Sequence, residues 1–300
     1  MNKLNVDDLV EKGLVRKKTY TEGRFKGLSI LKYHRKVFYD NLWHLDDRLL
    51  DCRGTVVDED NNVIVLPFKK IFNVGENYTN VPDEALVECP VKLNGFMGAV
   101  TLTKDYGLIC STTGSLDSDF SLLVEKWVNK LGKEELICGI TYLFEVCDES
   151  DPHIVKEEEG IYLIGARWHD DGRLLRECGL DTMSLRLGCK RVPAKVCTFK
   201  EIKEELKTVT HEGFMVRDLV TGNTLTKLKS PHYLSTKCLM RLGKKNIDIL
   251  FRNTHLFKRR VDEEFYPIVD KIAKRFDRES WGNYTEQQRR VFIEGYFNAG

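Results

Sequence analysis

The hydrophobic pattern of this sequence changes near Pro231, and that change restricts the folds open to the chain. From about residue 28 to residue 110, short apolar runs alternate with polar turns, a pattern typical of strands. From about residue 233 to the end, apolar residues recur at three- and four-residue spacing, which is typical of helices. The sequence therefore predicts an α+β domain over residues 1–234 and a small all-α domain over residues 235–300.

The first domain contains recognisable hairpins. Apolar residues 55–58 and 63–66 flank the polar turn 59–62, and residues 100–103 and 108–110 flank a turn in the same way. Such pairs predict antiparallel neighbours in a sheet. By the same criteria, further strands are predicted at 140–147, 161–167, 214–218 and 224–228, and helices at 118–137 and 199–208.

Composition excludes several classes of protein. No apolar run approaches the roughly 20 residues that cross a bilayer, and the polar, acidic N-terminus does not resemble a signal peptide. Nine cysteines are scattered without a CxxC pair. This predicts reduced cysteines in a cytoplasmic protein rather than a zinc site or a disulfide framework. No membrane partner is expected, and a monomer is expected.

The charge of the chain is balanced overall but uneven locally. The formal net charge is +1, which argues against a uniformly basic nucleic-acid binder. The last 70 or so residues are richer in Lys and Arg, for example at 241–245 and 258–260. Such runs fit a solvated helix face as well as a phosphate-binding surface, so they do not decide between the two.

Lys92 is the first candidate for chemistry. It follows an apolar run and stands three residues before Gly95, where a glycine lets the backbone make room for a phosphate near the lysine. Taken alone, this pattern also fits a surface lysine beside a turn. Its interpretation depends on the other charged residues of the chain.

Charged residues inside strand-like runs supply that context. Lys227 and Lys229 are two apart, so in a strand both point to one face, and an anion such as a triphosphate would relieve their repulsion. Glu145 lies inside an apolar run, where a carboxylate is costly unless it is paired or bound. Glu212 comes just before another predicted strand, and Arg53 adds a cation nearer the N-terminus.

Together and in this order, these residues resemble the covalent nucleotidyltransferases, the superfamily of DNA ligases, RNA ligases and mRNA capping enzymes. The finer resemblance is to the bacteriophage RNA ligase 1 family, through Arg53-Gly54 and the segment from Lys70 to Asn73. Where that superfamily commonly has Asp two places after the lysine, this chain has Asn94. The superfamily motifs are matched by Lys92-x-Asn94-Gly95, Glu145, Glu212-Gly213 and Lys227-x-Lys229.

The resemblance implies a fold, a reaction and a site. The fold is a nucleotidyltransferase domain with ATP-grasp-like antiparallel sheets and a small helical C-terminal domain. The reaction is ATP-dependent RNA ligation, with Mg²⁺ or Mn²⁺, through a lysyl-AMP on Lys92. Glu145 and Glu212 would also help to hold the metal. The implied nucleotide-binding residues are Tyr33, Arg53, Lys70, Phe72, Gly95, Glu145, Glu212, Lys227 and Lys229.

Three other functions remain to be weighed. A capping guanylyltransferase or a DNA ligase uses the same lysine chemistry, but a β-rich oligonucleotide-binding domain normally follows its last motif. The helical pattern after Pro231 argues against both. A catalytically inactive nucleic-acid-binding relative would not be expected to keep Lys92 and both glutamates. The resemblance therefore favours RNA repair, on a single-stranded or nicked tRNA-like substrate, by a viral protein in the host cytoplasm.

Overall fold

A computed structural model describes residues 3–151, 153–242, 244–261 and 265–298 of the chain. The chain forms two compact units. The first comprises Met1–Glu201 and Phe214–Leu228, and the second comprises Ile202–Gly213 and Lys229–Gly300. The second unit thus takes in a segment that lies well before residue 234, where the sequence predicts the domain boundary, and the predicted boundary stays a prediction.

The strands follow the predicted hairpins closely. The predicted strands at 140–147, 161–167, 214–218 and 224–228 all form. In chain order, strands β1 to β13 of the described residues span Val15–Thr19, Ser29–Tyr33, Arg53–Val57, Val63–Val65, Leu86–Lys92, Phe96–Thr103, Gly107–Ser111, Ile140–Cys147, Gly160–Trp168, Lys190–Arg191, Ala194–Thr198, Gly213–Asp218 and Thr224–Lys229.

Helices are short in the first unit and dominate the second. The fold is therefore the predicted mixture of helices and sheets with a helical C-terminal part. In chain order, α-helices α1 to α12 of the described residues span Asp7–Glu11, Arg35–Tyr39, Arg48–Asp51, Asp119–Val128, Glu177–Leu187, Phe199–Leu206, Pro231–Arg241, Lys244–Arg252, Thr254–Lys258, Tyr266–Arg275, Arg278–Asn283 and Glu286–Asn298.

The helix predicted at 118–137 is shorter than expected. Helix α4 begins after Ser118, whose hydroxyl accepts a hydrogen bond from the Ser121 amide and caps the helix. It ends at Val128, and shortly beyond it the amide of Gly132 donates to the carbonyl of Leu187 instead of continuing the helix. The apolar spacing predicted the helix, but its end depends on a contact with a residue far along the chain.

Three sheets organise the first unit. One is ordered β1-β2-β3-β4, with antiparallel neighbours and a bulge where β2 meets β3. The second is ordered β10-β9-β8-β6-β7, and the predicted hairpin of β6 and β7 forms its edge. The third is ordered β11-β5-β12-β13. Residues from the first two sheets share one apolar core, which includes Ile30, Val56, Ala99 and Leu143.

The second unit is a helical cluster around its own core. Helix α7 packs against α12, and α8 packs against α9 and α11. Phe257, Ile268, Trp281 and Ile293 are fully buried there. Within the part of the chain that the structure describes, none of the helices combines the length and the apolar character needed to span a bilayer.

The buried residue His169 follows β9 directly and contacts β8 of the second sheet. The Nε2 atom of His169 lies 2.8 Å from the Thr141 hydroxyl, which also accepts a hydrogen bond from the Leu66 amide. His169 is only 6% exposed. Burial, together with the positive charge of Arg167, lowers the pKa of His169 to about 4. The imidazole is therefore neutral in the folded protein at neutral pH.

This histidine predicts a pH dependence of stability. Between pH 4 and pH 6.5 the unfolded chain binds a proton at His169 that the folded chain does not, so stability falls as pH is lowered. We expect this residue to reduce the free energy of unfolding by about 2 to 3 kcal/mol between pH 7 and pH 4.5. Denaturant titrations at both pH values should show a smaller loss in His169→Gln than in the wild type. An equal loss in both proteins would contradict the assignment.

Candidate active site

Lys92 is the last residue of β5, and its side chain is half-buried. The strand forms because Val87 and Cys89 alternate with less buried residues, and it lies between β11 and β12. The Nζ atom lies 3.5 Å from the carbonyl oxygen of Leu93. The predicted nucleophile therefore stands at the point where a central strand gives way to a turn.

The turn after Lys92 is shaped by Gly95. A Cβ atom at this position would collide with the carbonyl oxygen of Val146 and lie 3.0 Å from the Sγ atom of Cys147, so only glycine fits. The Gly95 amide donates a hydrogen bond of 3.1 Å to the carboxylate of Glu145. The structure thus brings together two of the predicted site residues, Gly95 and Glu145, through a direct bond.

Asn94 ties the same turn to the connection between β8 and β9. Its side-chain oxygen accepts a hydrogen bond of 3.0 Å from the Val155 amide, and its own amide donates to Glu157 at 3.0 Å. The residue is 7% exposed. Asn94 therefore has a structural task, and its oxygen performs it as a carboxylate oxygen would. Nothing in the sequence pattern marks Val155 or Glu157 as partners of Asn94.

Arg53 lies close to Tyr33 and Glu145. It is the first residue of β3, and its Nη1 atom donates to the Met97 thioether at 3.9 Å. Burial lowers the pKa of Arg53, while the charges of Tyr33 and Glu145 oppose that shift. A thioether is a weak acceptor. The guanidinium thus keeps most of its capacity to donate hydrogen bonds to an anion.

An aromatic cluster connects Tyr33 with the other predicted residues. The rings of Tyr33 and Trp43 are 4.8 Å apart at 75°, and those of Trp43 and Phe72 are 5.3 Å apart at 81°. The Nζ atom of Lys70 lies 5.3 Å from the centre of the Phe72 ring and 5.1 Å from that of Phe38. Trp43 is not part of any predicted motif, yet it contacts three predicted site residues, Tyr33, Phe72 and Lys70.

Lys227 is placed beside this cluster by backbone contacts. It forms an isolated parallel bridge with Asn73, and the hydroxyl of Thr226 donates to the carbonyl oxygen of Phe72 at 2.9 Å. Asn73 is itself fixed by Glu76, whose carboxylate accepts from the Asn73 amide at 2.8 Å and from its side chain at 2.6 Å. Two cations predicted from distant parts of the sequence, Lys70 and Lys227, thus flank one short segment.

A buried arginine holds the segments that carry these cations. Arg167 is 4% exposed and donates from its Nη1 atom to the Asp51 carboxylate and to the Pro67 carbonyl, both at 2.7 Å. Asp51 precedes Arg53 by two residues, and Pro67 precedes Lys70 by three. Arg167 therefore holds together the two segments that lead to Arg53 and Lys70.

The remaining predicted residues belong to the second unit. Glu212 is 3% exposed, and its carbonyl accepts a hydrogen bond of 2.8 Å from the Ser230 amide, next to Lys229. The Nζ atom of Lys229 lies 5.6 Å from the ring centre of Tyr233, with Lys237 at 5.5 Å. Whether Glu212 and Lys229 share a site with Lys92 stays a prediction.

The carboxylates suit a metal ion that the substrate helps to hold. Among the described residues there is no group of three or more His, Cys, Asp or Glu that could bind a metal by themselves. Mg²⁺ commonly takes one or two carboxylates, several waters and the phosphates of a nucleotide. The half-buried Glu145 carboxylate next to the Gly95 amide fits such a role.

Known proteins resemble this chain in sequence and in fold. A family model described as RNA ligase matches residues 51–266, which is most of the chain. A comparison of the chain with curated proteins found no match. An archaeal ATP-dependent RNA ligase, solved as form 1 and form 2, has the same fold. The two forms show 13% and 14% identity and a TM-score of 0.59 each, over 98% and 97% of this chain and 76% of the archaeal one.

A further solved structure matches a smaller part. It is the Naegleria gruberi RNA ligase with PPi, at 18% identity and a TM-score of 0.43, over 51% of each chain. The chain thus spans about half the length of that relative. At these identities, the likeness to the archaeal structures shows the fold and leaves the chemistry to the residues themselves.

Proposed function

Because the chain belongs to the RNA ligase family, we propose that it is an ATP-dependent RNA ligase that joins 5′-phosphate and 3′-hydroxyl ends. The observation that supports this most is the contact of Glu145 with the turn that follows Lys92, together with the approach of Arg53 to the same carboxylate. The Gly95 amide binds Glu145, and Arg53 lies within the electrostatic reach of the same carboxylate. The turn next to the proposed nucleophile thus binds a carboxylate, and a cation from another strand lies close to that carboxylate.

In the first step the Nζ atom of Lys92 forms a bond to the α-phosphorus of ATP. The bond from that phosphorus to its bridging oxygen breaks, pyrophosphate leaves, and the amine loses a proton. In the second step a 5′-phosphate oxygen of the RNA attacks the same phosphorus and releases the lysine. Finally the 3′-hydroxyl attacks the 5′-phosphorus of the adenylated end and AMP leaves.

Cations carry most of the remaining work, because phosphoryl transfer depends on positioning and on neutralising charge. Arg53 and Lys70 would hold phosphate groups, and Lys227 and Lys229 would hold the triphosphate. Tyr33 and Phe72 would form the adenylate pocket, in which Phe72, only 9% exposed, supports the neighbouring rings. Bound Mg²⁺ or Mn²⁺ would supply further charge neutralisation, with Glu145 and Glu212 as its protein ligands.

RNA is the proposed partner, and charge distribution supports it. Residues 229–300 contain 15 Lys and Arg but nine Asp and Glu, a formal charge of +6, while the preceding residues carry −5. A basic helical unit suits a polyanion. A single-stranded or nicked tRNA-like RNA remains the proposed form. The free cysteines, five of them buried, support a reducing compartment such as the cytoplasm. The monomeric state stays a prediction.

Labelled nucleotides test the proposal directly. We expect the protein to acquire label from α-labelled ATP and Mg²⁺, and to keep it through denaturing electrophoresis, far more than from labelled GTP. It should then seal 5′-phosphorylated RNA better than the equivalent DNA. A preference for GTP would indicate a capping enzyme, a preference for DNA would indicate a DNA ligase, and the absence of label would contradict lysyl-AMP chemistry.

A further inference from the structure

Lys32, on β2, is a lysine beside the proposed site that the sequence motifs do not include. Lys32 stands directly opposite Arg53 in the antiparallel pairing of β2 with β3. Side chains that are directly opposite lie on the same face of a sheet about 5 Å apart at Cβ. The Arg53 guanidinium is partly desolvated, as its lowered pKa reflects. The two cations therefore lie near enough to each other to bind one anion together.

The turn formed by residues 112–115, which follows β7 of the second sheet, packs close to Lys32 and Arg53. Gly54 packs so tightly against this turn that a Cβ atom on Gly54 would lie 2.7 Å from the Cα atom of Thr113. On the other side of the turn, a Cβ atom on Gly114 would lie 3.8 Å from the Nζ atom of Lys32. The Thr112 amide closes the turn by donating to Ser115 at 3.0 Å. The Lys32 Nζ atom thus lies close to this turn, and the same turn packs against Gly54, the neighbour of Arg53.

Two nearby lysines have carboxylate partners. Lys17 pairs with Asp7 at 2.9 Å and Lys18 pairs with Asp117 at 3.2 Å, both from the neighbouring strand β1. Throughout the described residues, no carboxylate comes within ion-pairing distance of Lys32. The ammonium group is exposed and remains available to a ligand.

We infer that Lys32 is a phosphate-binding residue that works together with Arg53, an inference that rests on the proposed function. The shared chemistry is a phosphate group, which could come from ATP or from the 5′ end of the RNA. Both sources bring two or more negative charges. Such a group accepts strong, charge-assisted hydrogen bonds from a lysine and an arginine together.

Two assays of Lys32→Met distinguish the sources. The first measures lysyl-AMP formation as a function of ATP concentration. The second measures the sealing of RNA that carries an adenylated 5′ end, without ATP. If Lys32 binds the ATP phosphates, we expect at least a tenfold rise in the KM for ATP. If it binds the RNA phosphate, we expect at least a tenfold loss of sealing. Lys32→Arg should retain most of the affected activity.

The matched control is Lys104→Met, which removes another exposed lysine from the turn between β6 and β7. Because Lys32 is exposed, its loss should leave the melting temperature unchanged. Equal behaviour of the two Met variants in both assays would overturn the inference. If instead the wild type takes up no label from ATP and seals no adenylated RNA, the proposed function itself fails.

Discussion

Lys92→Ala is expected to form no detectable lysyl-AMP, a loss of more than about 1000-fold, yet still to seal RNA whose 5′ end is already adenylated. The first step needs an amine as the atom that attacks phosphorus, and alanine offers none. The later steps use the 5′-phosphate and the 3′-hydroxyl of the RNA as nucleophiles. The two assays, labelled ATP and adenylated RNA, separate the loss of the nucleophile from the loss of the site.

Two further variants serve as controls for this experiment. Lys92→Arg keeps a positive charge but not a nucleophilic amine, since a guanidinium stays protonated, and should also remain unlabelled. Lys104→Ala, a change at an exposed turn, should be labelled like the wild type. Label on Lys92→Ala would place the nucleophile elsewhere, and loss of the sealing of adenylated RNA would assign Lys92 a second task.

Gly95→Ala is expected to slow lysyl-AMP formation by about 100-fold or more. The added methyl group would meet the carbonyl oxygen of Val146, which belongs to the backbone of β8 and has little freedom to move. The turn must then shift, and the bond from Gly95 to Glu145 is lost or lengthened. We also expect the free energy of unfolding to fall by about 1 to 3 kcal/mol, as in overpacked cores. Rapid-mixing labelling and denaturant titration measure the two effects.

Gly295→Ala provides the matched control. Gly295 is an exposed residue of α12, and a Cβ atom there meets nothing within 4 Å. Alanine should stabilise the helix by up to about 1 kcal/mol. A Gly95→Ala protein that labels at the wild-type rate would show that the close approach to Val146 has no bearing on the nucleophile.

Local pattern predicts the strands of this chain well and its helix ends and tertiary partners poorly. Strand β8 spans Ile140–Cys147, the predicted bounds, because its apolar run is long and both of its neighbours bury it. Helix α5 was not predicted, since its N-terminal Glu177 is a buried carboxylate that pairs with Arg217 at 2.6 Å. A pattern of apolar residues cannot show that a charge will be buried by a partner 40 positions away.

The sequence predicts the candidate site as a set of residue types and says nothing of its geometry. Gly95 and Glu145 meet because the turn after β5 crosses β8, and Tyr33 meets Arg53 because β2 pairs with β3. Trp43 carries no charge and matches no quoted motif, so nothing in the sequence marked it as the centre of the aromatic cluster. Its role follows from packing alone.

The contact between Thr226 and Phe72 joins residues 154 positions apart. Such a contact closes a long loop, and the contact must offset the entropic cost of that closure. A nascent chain that has not yet supplied β13 therefore lacks Lys227 beside Asn73, although Lys92 and Glu145 are already present. Under the proposed function, lysyl-AMP formation would therefore require that the chain is synthesised and folded at least as far as Lys227.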